Sequence, residues 1–223
     1  METQYGTSSH YQGEKGAAYF AYQNRFAALG GKLDAQKFAP FVTENDSVLD
    51  FGCGGGWVLR ELPCKERVGV ELNEEAHSVC SANGIKVYKH IADVAERDFD
   101  LIISNHCLEH VPYPIEALRA LRGLLSPTGK LVVVVPIDDW RTQTDCTGKD
   151  IDHHLQTWTS RLMANTLVEA GFAPLEIKIL THAWFPRWNQ VYGRLPNILF
   201  DALCRAWSIK RKQRQLLAYA KKA

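Results

Sequence analysis

An α/β fold, doubly wound around a mainly parallel sheet, is what this sequence predicts, and three observations predict it. Short apolar runs alternate with helical patterns from Val48 onward. The first run, Val48-Leu49-Asp50-Phe51, breaks into a glycine-rich turn, Gly52-Cys53-Gly54-Gly55-Gly56. The second run ends in a carboxylate, Glu71. Alternation of this kind joins parallel strands by right-handed crossovers, which lay helices on both faces of one sheet.

Ahead of the first strand, Tyr19, Phe20, Gln23, Phe26, Ala27 and Leu29 keep helical spacing. Gly30-Gly31 is expected to break that helix before a second, short one over Leu33–Phe41. Strands are predicted near Ser47–Phe51, Arg67–Glu71, Lys86–Lys89, Asp100–Ser104 and Lys130–Pro136, with helices near Gly56–Leu62, Glu74–Asn83 and Pro114–Leu125. A helix over Ser160–Ala170 closes at Gly171, Leu175–Thr181 reads as a sixth strand and Gln215–Lys221 as a seventh. Between those two lies Ala183–Arg214. It opens on Trp184, Phe185, Trp188 and Tyr192 and continues as an apolar stripe of Leu195, Ile198, Leu199, Ala202, Leu203, Ala206 and Trp207. It ends on Lys210-Arg211-Lys212. The bland expectation is a helix packed on the sheet by that stripe, with a solvated basic end. The sharper one is a lid or docking surface, with peripheral membrane contact through 184–212. One domain over 1–223 is expected, with a helical N-terminal flap at 1–46, a core at 47–182, the insertion at 183–214 and the last strand at 215–223.

With 223 residues, 46% hydrophobic and 23% charged, the chain can bury one sizeable core. A net charge of +1 lacks the basic excess of nucleic-acid binders, so no nucleic-acid partner is expected. The cysteines at 53, 64, 80, 107, 146 and 204 follow neither a zinc-ligand nor a disulfide-framework spacing. They read as thiols in a reducing compartment, and no metal site is expected. The N-terminus is polar, and no stretch approaches the ~20 apolar residues of a membrane span. The expectation is a cytoplasmic protein.

Glycines allow a tight turn and close approach of backbone to a ligand, so a ligand belongs at residues 52–56. Glu71 lies 21 positions after Asp50 (71 − 50), near the roughly 20-residue offset at which an acidic side chain accepts from a ribose diol. A dinucleotide site would carry a third glycine where this chain has Trp57, which disfavours NAD and FAD. The run Asp50-x-Gly52-x-Gly54-x-Gly56 with Glu71 instead resembles the cofactor motifs of class I S-adenosylmethionine-dependent methyltransferases. The segment from Phe99 to Pro112, with Leu108-Glu109-His110-Val111-Pro112 at its end, resembles the fourth strand and following loop of that superfamily. Leu124 to Pro136 resembles its fifth helix end, turn and fifth strand, with Thr128 where many relatives carry glycine. The resemblance runs from about Tyr11 onward. It implies a Rossmann-like, seven-stranded sheet with an antiparallel last strand, and S-adenosylmethionine as cofactor with S-adenosylhomocysteine as product.

On that resemblance, backbone at Gly52, Cys53 and Gly54 lines the methionine end and Asp50 orders the turn. Glu71 holds the ribose hydroxyls, Leu72 packs on adenine, Ile91-Ala92-Asp93 flanks it, and Asn105 with His106 borders the sulfonium. Asp93 reads equally as a surface-loop charge. A hydroxyl acceptor must lose a proton on methylation, for which histidine is the natural base. Candidates follow strand four (His106, His110), strand five (Asp138, Asp139) and lie in the segment 150–159 (His153, His154). That segment resembles a histidine-containing loop of saccharide and natural-product methyltransferases. His154 is therefore expected as base or acceptor-orienting group, with His106 second. His110 is expected to fix its loop; Asp138 and Asp139 read as loop caps or substrate contacts. Tyr11, Tyr19 and Gln23 read as a flap over the cofactor or as one face of a plain covering helix. The expected function is methylation of a small-molecule acceptor, a hydroxyl of a saccharide or pathway intermediate. The competing readings are a lipid-linked or membrane-surface acceptor, and a cofactor-binding regulatory subunit without turnover.

Overall fold

A computed structural model of the chain describes residues 8–25, 27–139, 141 and 152–223. Helices α1 (Gly13–Asn24) and α2 (Ala27–Phe38) precede the sheet. Then β1 (Ser47–Phe51), α3 (Trp57–Glu61), β2 (Glu66–Val70), α4 (His77–Ala82), β3 (Lys86–Tyr88), β4 (Phe99–Asn105), α5 (Pro114–Leu124) and β5 (Leu125–Ile137) alternate as expected. The chain continues through α6 (Ser160–Glu169), β6 (Phe172–Leu180), α7 (Trp188–Val191), α8 (Asn197–Arg211) and β7 (Arg214–Lys222). Among the described residues the strands form one seven-stranded sheet in the order β3-β2-β1-β4-β5-β7-β6. The first five pair in parallel, and β7 runs antiparallel to both β5 and β6.

Both faces of the central strands are buried, which is why β1, β4 and β5 read as nearly continuous apolar runs, whereas the edge strand β6 is mostly half-buried or exposed. On β5, Leu131, Val133 and Val135 face one core with Leu118 and Leu121 of α5 and Leu167 of α6. The alternate residues Val132 and Val134 face the other, with Phe38 of α2, Leu59 of α3 and Cys80 of α4. Burying each such leucine is worth about 1.5–3 kcal/mol. β5 starts five residues before the predicted Lys130, because Leu125 already pairs with Phe99 across an irregularity in β4.

Two expectations fail for packing reasons. Gly30 and Gly31 do not break a helix; α2 runs through both. They are there because two tryptophans crowd the helix. A Cβ on Gly31 would stand 2.5 Å from Trp57 Cβ and 2.7 Å from its carbonyl carbon, and one on Gly30 would stand 3.0 Å from the Trp184 ring. In the insertion, the packed side of α8 is not the predicted stripe. Phe200, Cys204 and Ser208, each one turn apart, are buried, and Phe200 meets the rings of Phe185 and Tyr192. Ile198 stays 78% exposed and Leu199 51% exposed. None of the described helices is long and apolar enough to cross a membrane.

The contact at Gly31 is directly testable. Gly31→Ala should cost about 1–3 kcal/mol in urea denaturation, since backbone as well as side chain of Trp57 must move. Gly123→Ala in α5, whose added Cβ meets no atom within 4 Å, should be neutral or stabilising by up to ~1 kcal/mol.

Candidate functional site

The order of strands reverses between β1 and β4, and ligands of open α/β sheets bind beyond the carboxyl ends at such a point. A cavity of about 890 Å³ opens there. Its floor is made by the turn after β1, Glu71 and Leu72 after β2, and Asn105 and His106 after β4.

The turn is held from beneath by β2. The N–H groups of Gly52 and Cys53 donate to the Val70 carbonyl at 2.8 and 3.2 Å. Gly54 N–H donates to Glu71 Oε2 at 2.8 Å, and Asn73 N–H to Glu71 Oε1 at 2.8 Å. Gly54 has φ +52°, and nothing lies within 4 Å of where its Cβ would be, so bare backbone faces the cavity. Burial pushes the Glu71 carboxyl up, and its backbone donors pull it back down. Asp50 beneath it is 2% exposed, and its Oδ1 finds no hydrogen-bond partner among the described residues. Burial first, then the Glu71 charge, push Asp50 up to about 8.

The other side of the cavity is built from separate loops. Asp138, just past β5, accepts from His154 Nδ1 at 2.9 Å, and this bond raises the His154 pKa. His154 and Asp138 both line the cavity. His153 turns away in the left-handed region (φ 54°) and stacks on His10, ring centroids 4.6 Å apart. Asp139 instead pairs with Arg141, which holds its carboxyl down at about 2. His106 also adopts a left-handed backbone (φ 53°), lines the cavity, and is pushed down to about 4 by burial and then by Lys37. The roof is α1. Tyr11 is buried within 2.7 Å of His110 Nδ1, Tyr19 and Gln23 line the cavity, and Asn73 Nδ2 ties the Gly16 carbonyl at 2.7 Å. Tyr19 is pushed well above the ordinary tyrosine range by burial.

Thus the expected residues Asp50, Gly52, Cys53, Gly54, Glu71, Leu72, Asn105, His106 and His154 converge on one cavity. Asp93 does not. It sits exposed on the 3-10 turn Ile91–Asp93, while Lys89 and His90 of the same connection line the cavity in its place. Cys146 and the start of the 150–159 segment lie outside the described residues. Sequence reasoning missed a polar cluster on α2: Asp34 accepts from Asn105 Nδ2 at 3.1 Å, and Lys37 bridges Asp34 at 2.8 Å and Gln215 Oε1 at 2.7 Å. Its signal was available, since an acid and a base three residues apart interrupt the helix face that packs Ala35 and Phe38 on the sheet.

The floor fits the cofactor expected of such a turn. An unpaired buried carboxyl oxygen on Asp50, open backbone at Gly54 and a carboxylate ending β2 are donors and acceptors for a ribose and an amino-acid end.

Comparison with known proteins agrees. Residues 20–177 match a family model described as "Methyltransferase domain". A ubiquinone biosynthesis O-methyltransferase of Nitrosococcus oceani is 32% identical over 96 residues, covering 38% of this chain and 41% of that protein. The chain thus aligns with about two fifths of the curated relatives' length. Among solved structures, a possible histamine N-methyltransferase of Thermotoga maritima superposes with a TM-score of 0.63 at 17% identity, covering 93% of this chain and 95% of that one. Haemonchus contortus phosphoethanolamine N-methyltransferase 2 with S-adenosyl-L-methionine gives 0.61 at 15% identity, covering 92% and 57%. At such identities these structures speak for the fold alone.

Asp50 makes a pH prediction. Its folded pKa lies above its ordinary 3.8, so its contribution is complete at low pH and is lost as pH rises through about 8. Urea midpoints of the ligand-free protein should fall between pH 5 and pH 8, and Asp50→Asn should flatten that fall by a few kcal/mol. Equal pH slopes for the two proteins would contradict the protonated Asp50.

Proposed function

The chain belongs to the methyltransferase domain family, within the class I S-adenosylmethionine-dependent superfamily, and from that premise we propose that it methylates a hydroxyl of a small-molecule acceptor held beside His154. When bound, S-adenosylmethionine supplies the electrophile, a methyl group on a sulfonium sulfur. The protein's share is then alignment, exclusion of water and care of one proton. Glu71 is the group for the ribose diol, the backbone of Gly52, Cys53 and Gly54 for the methionine end, and Leu72 for the adenine face. Asn105 and His106 border the sulfonium. Burial keeps His106 uncharged near neutral pH, which avoids repulsion of a cationic sulfur.

The observation that carries the reading is that the glycine turn with Glu71 and the Asp138–His154 pair open into the same cavity. Asp138 takes up His154 Nδ1, leaving Nε2 to hold the acceptor hydroxyl in line or to receive its proton. Tyr11, Tyr19 and Trp184 line the cavity as a cover against water. The partly aligned O-methyltransferase relatives support oxygen as the acceptor atom. The acceptor class is a hydroxyl-bearing saccharide or a pathway intermediate of similar size.

Calorimetric titration tests both halves. Glu71→Gln should weaken S-adenosylmethionine binding about 10–100-fold, as loss of hydrogen bonds to a charged group does. His154→Ala should keep that affinity and lose about 10²–10⁴-fold in turnover. Full turnover in His154→Ala would remove its assigned role, and cofactor binding without turnover on any hydroxyl acceptor would favour the regulatory-subunit reading.

A second reading, an acceptor presented at a membrane surface, is favoured by α8. Ile198, Leu199, Leu203 and Ile209 are exposed on a helix ending in Lys210-Arg211-Lys212. Flotation with anionic but not zwitterionic liposomes is expected under this reading, and should be reduced by Ile198→Ser with Leu199→Ser. Protein that stays at the bottom with both lipids excludes it.

A further inference from the structure

Glu109 is 0% exposed, and neither carboxyl oxygen has a hydrogen-bond partner among the described residues. The nearest cationic candidates are too far for hydrogen bonds: His106 Nδ1 at 3.6 Å and His110 Nε2 at 3.7 Å from Oε1. A buried carboxylate left so is costly unless a cation meets it.

Two histidines beside it, His110 and His154, are oriented from behind. Tyr11 donates its hydroxyl proton to the Asp152 carbonyl, so its oxygen is left to accept from His110 Nδ1–H at 2.7 Å. That tautomer puts the His110 lone pair on Nε2. On the other side Asp138 Oδ2 accepts from His154 Nδ1–H at 2.9 Å, which puts the lone pair of the neutral ring on Nε2 as well. The two rings lie 5.0 Å apart, and one ligand atom from each of Glu109, His110 and His154 falls within a span of 4.8 Å. A histidine whose second nitrogen is tied to a carboxylate or hydroxyl is the usual support of a metal ligand.

We propose that Glu109, His110 and His154 bind a divalent cation of the zinc, cobalt or iron(II) class at the acceptor end of the cavity. Two imidazole nitrogens and one carboxylate suit these ions, whereas magnesium and calcium take oxygen ligands. Asp138 and Tyr11 are positioning residues for it. Both imidazoles line the cavity, so the coordination positions not taken by protein face the acceptor. This selects acceptors with two adjacent oxygens, such as a vicinal diol or a catechol. The inference rests on the reading of this side as the acceptor pocket, and within it His154 orients the acceptor through the cation rather than by taking its proton directly. The sequence offered no contiguous metal pattern because the ligands come from loops 44 positions apart (154 − 110).

The test is titration of the full chain with Co²⁺, followed by its visible absorption, with Zn²⁺ as competitor. One equivalent of cobalt is expected, displaced by zinc. His110→Ala, His154→Ala and Glu109→Gln should each weaken cobalt binding by at least ~10-fold, and Asp138→Asn by about 10–100-fold. Parallel titration of every variant with S-adenosylmethionine reports a preserved fold. Cobalt affinity equal in the parent and in the His110→Ala/His154→Ala double variant, or no cobalt binding by a chain that binds S-adenosylmethionine, overturns the metal site and leaves the proposed methyl transfer standing. A chain that binds cobalt through these residues but no S-adenosylmethionine supports the site and removes the methyltransferase reading.

Discussion

The hydrogen bond from Gly54 N–H to the Glu71 carboxylate is the constraint on which the rest of the cavity depends. It joins the ends of β1 and β2 above the last sheet contact, so the glycine turn and the acid cannot move independently. It also answers an electrostatic problem. Two carboxyl groups buried so close cannot both ionise at little cost. Backbone donors on Glu71 stabilise its charge, while Asp50, with one oxygen unpaired, is pushed up to about 8 and carries the proton. The floor of the cavity therefore sets a carboxyl held by backbone donors beside a buried, proton-bearing one, at the place where a ligand's hydroxyls or positive groups would approach.

Around that floor the walls are of two kinds. Asp50, Glu71, Asn105 and Asp138 stand at or just past strand ends whose register is set by long parallel pairing and two cores. Tyr11, Tyr19, Trp184 and Trp188 come from segments laid over the sheet, and their contacts include rings and side-chain hydrogen bonds: Tyr11 with His110 and the Asp152 carbonyl, and Trp184 stacked on Trp188 at 4.4 Å. Elements of the second kind open at lower free energy than core strands.

What could be read in advance followed from periodicity and glycine chemistry. β1, β2 and β4 and the turn between β1 and α3 announce themselves because a strand buried on both faces has no room for polar residues except where it ends, and Asp50 and Glu71 stand near such ends. What could not be read depended on contacts between distant segments. Gly30-Gly31 looks like a helix breaker until Trp57 and Trp184 are known to press on it. The stripe on α8 looks like a packing face until Phe200, Cys204 and Ser208 turn out to occupy the contact. Asp93 has the residue type expected beside a purine, yet the 3-10 turn leaves it exposed and presents Lys89 and His90 to the cavity. Residue type alone carries no direction.

The polar cluster on α2 shows how the far edge of the sheet reaches into the site. Gln215 opens β7, which is wedged antiparallel between β5 and β6, and its side chain meets Lys37. Lys37 in turn holds Asp34, which holds Asn105 at the end of β4. Gln215 also donates to the His182 carbonyl at 3.2 Å, at the point where the chain leaves β6 for the insertion. One connected set of hydrogen bonds thus runs from the insertion, through the last strand and the N-terminal helix, to the strand beside the glycine turn. Half-buried ion pairs of this kind add little net stability, because desolvation consumes most of the Coulomb gain. Their effect is geometric: they fix where α2 and the insertion meet, and so set the width of the cavity above Asn105 and His106.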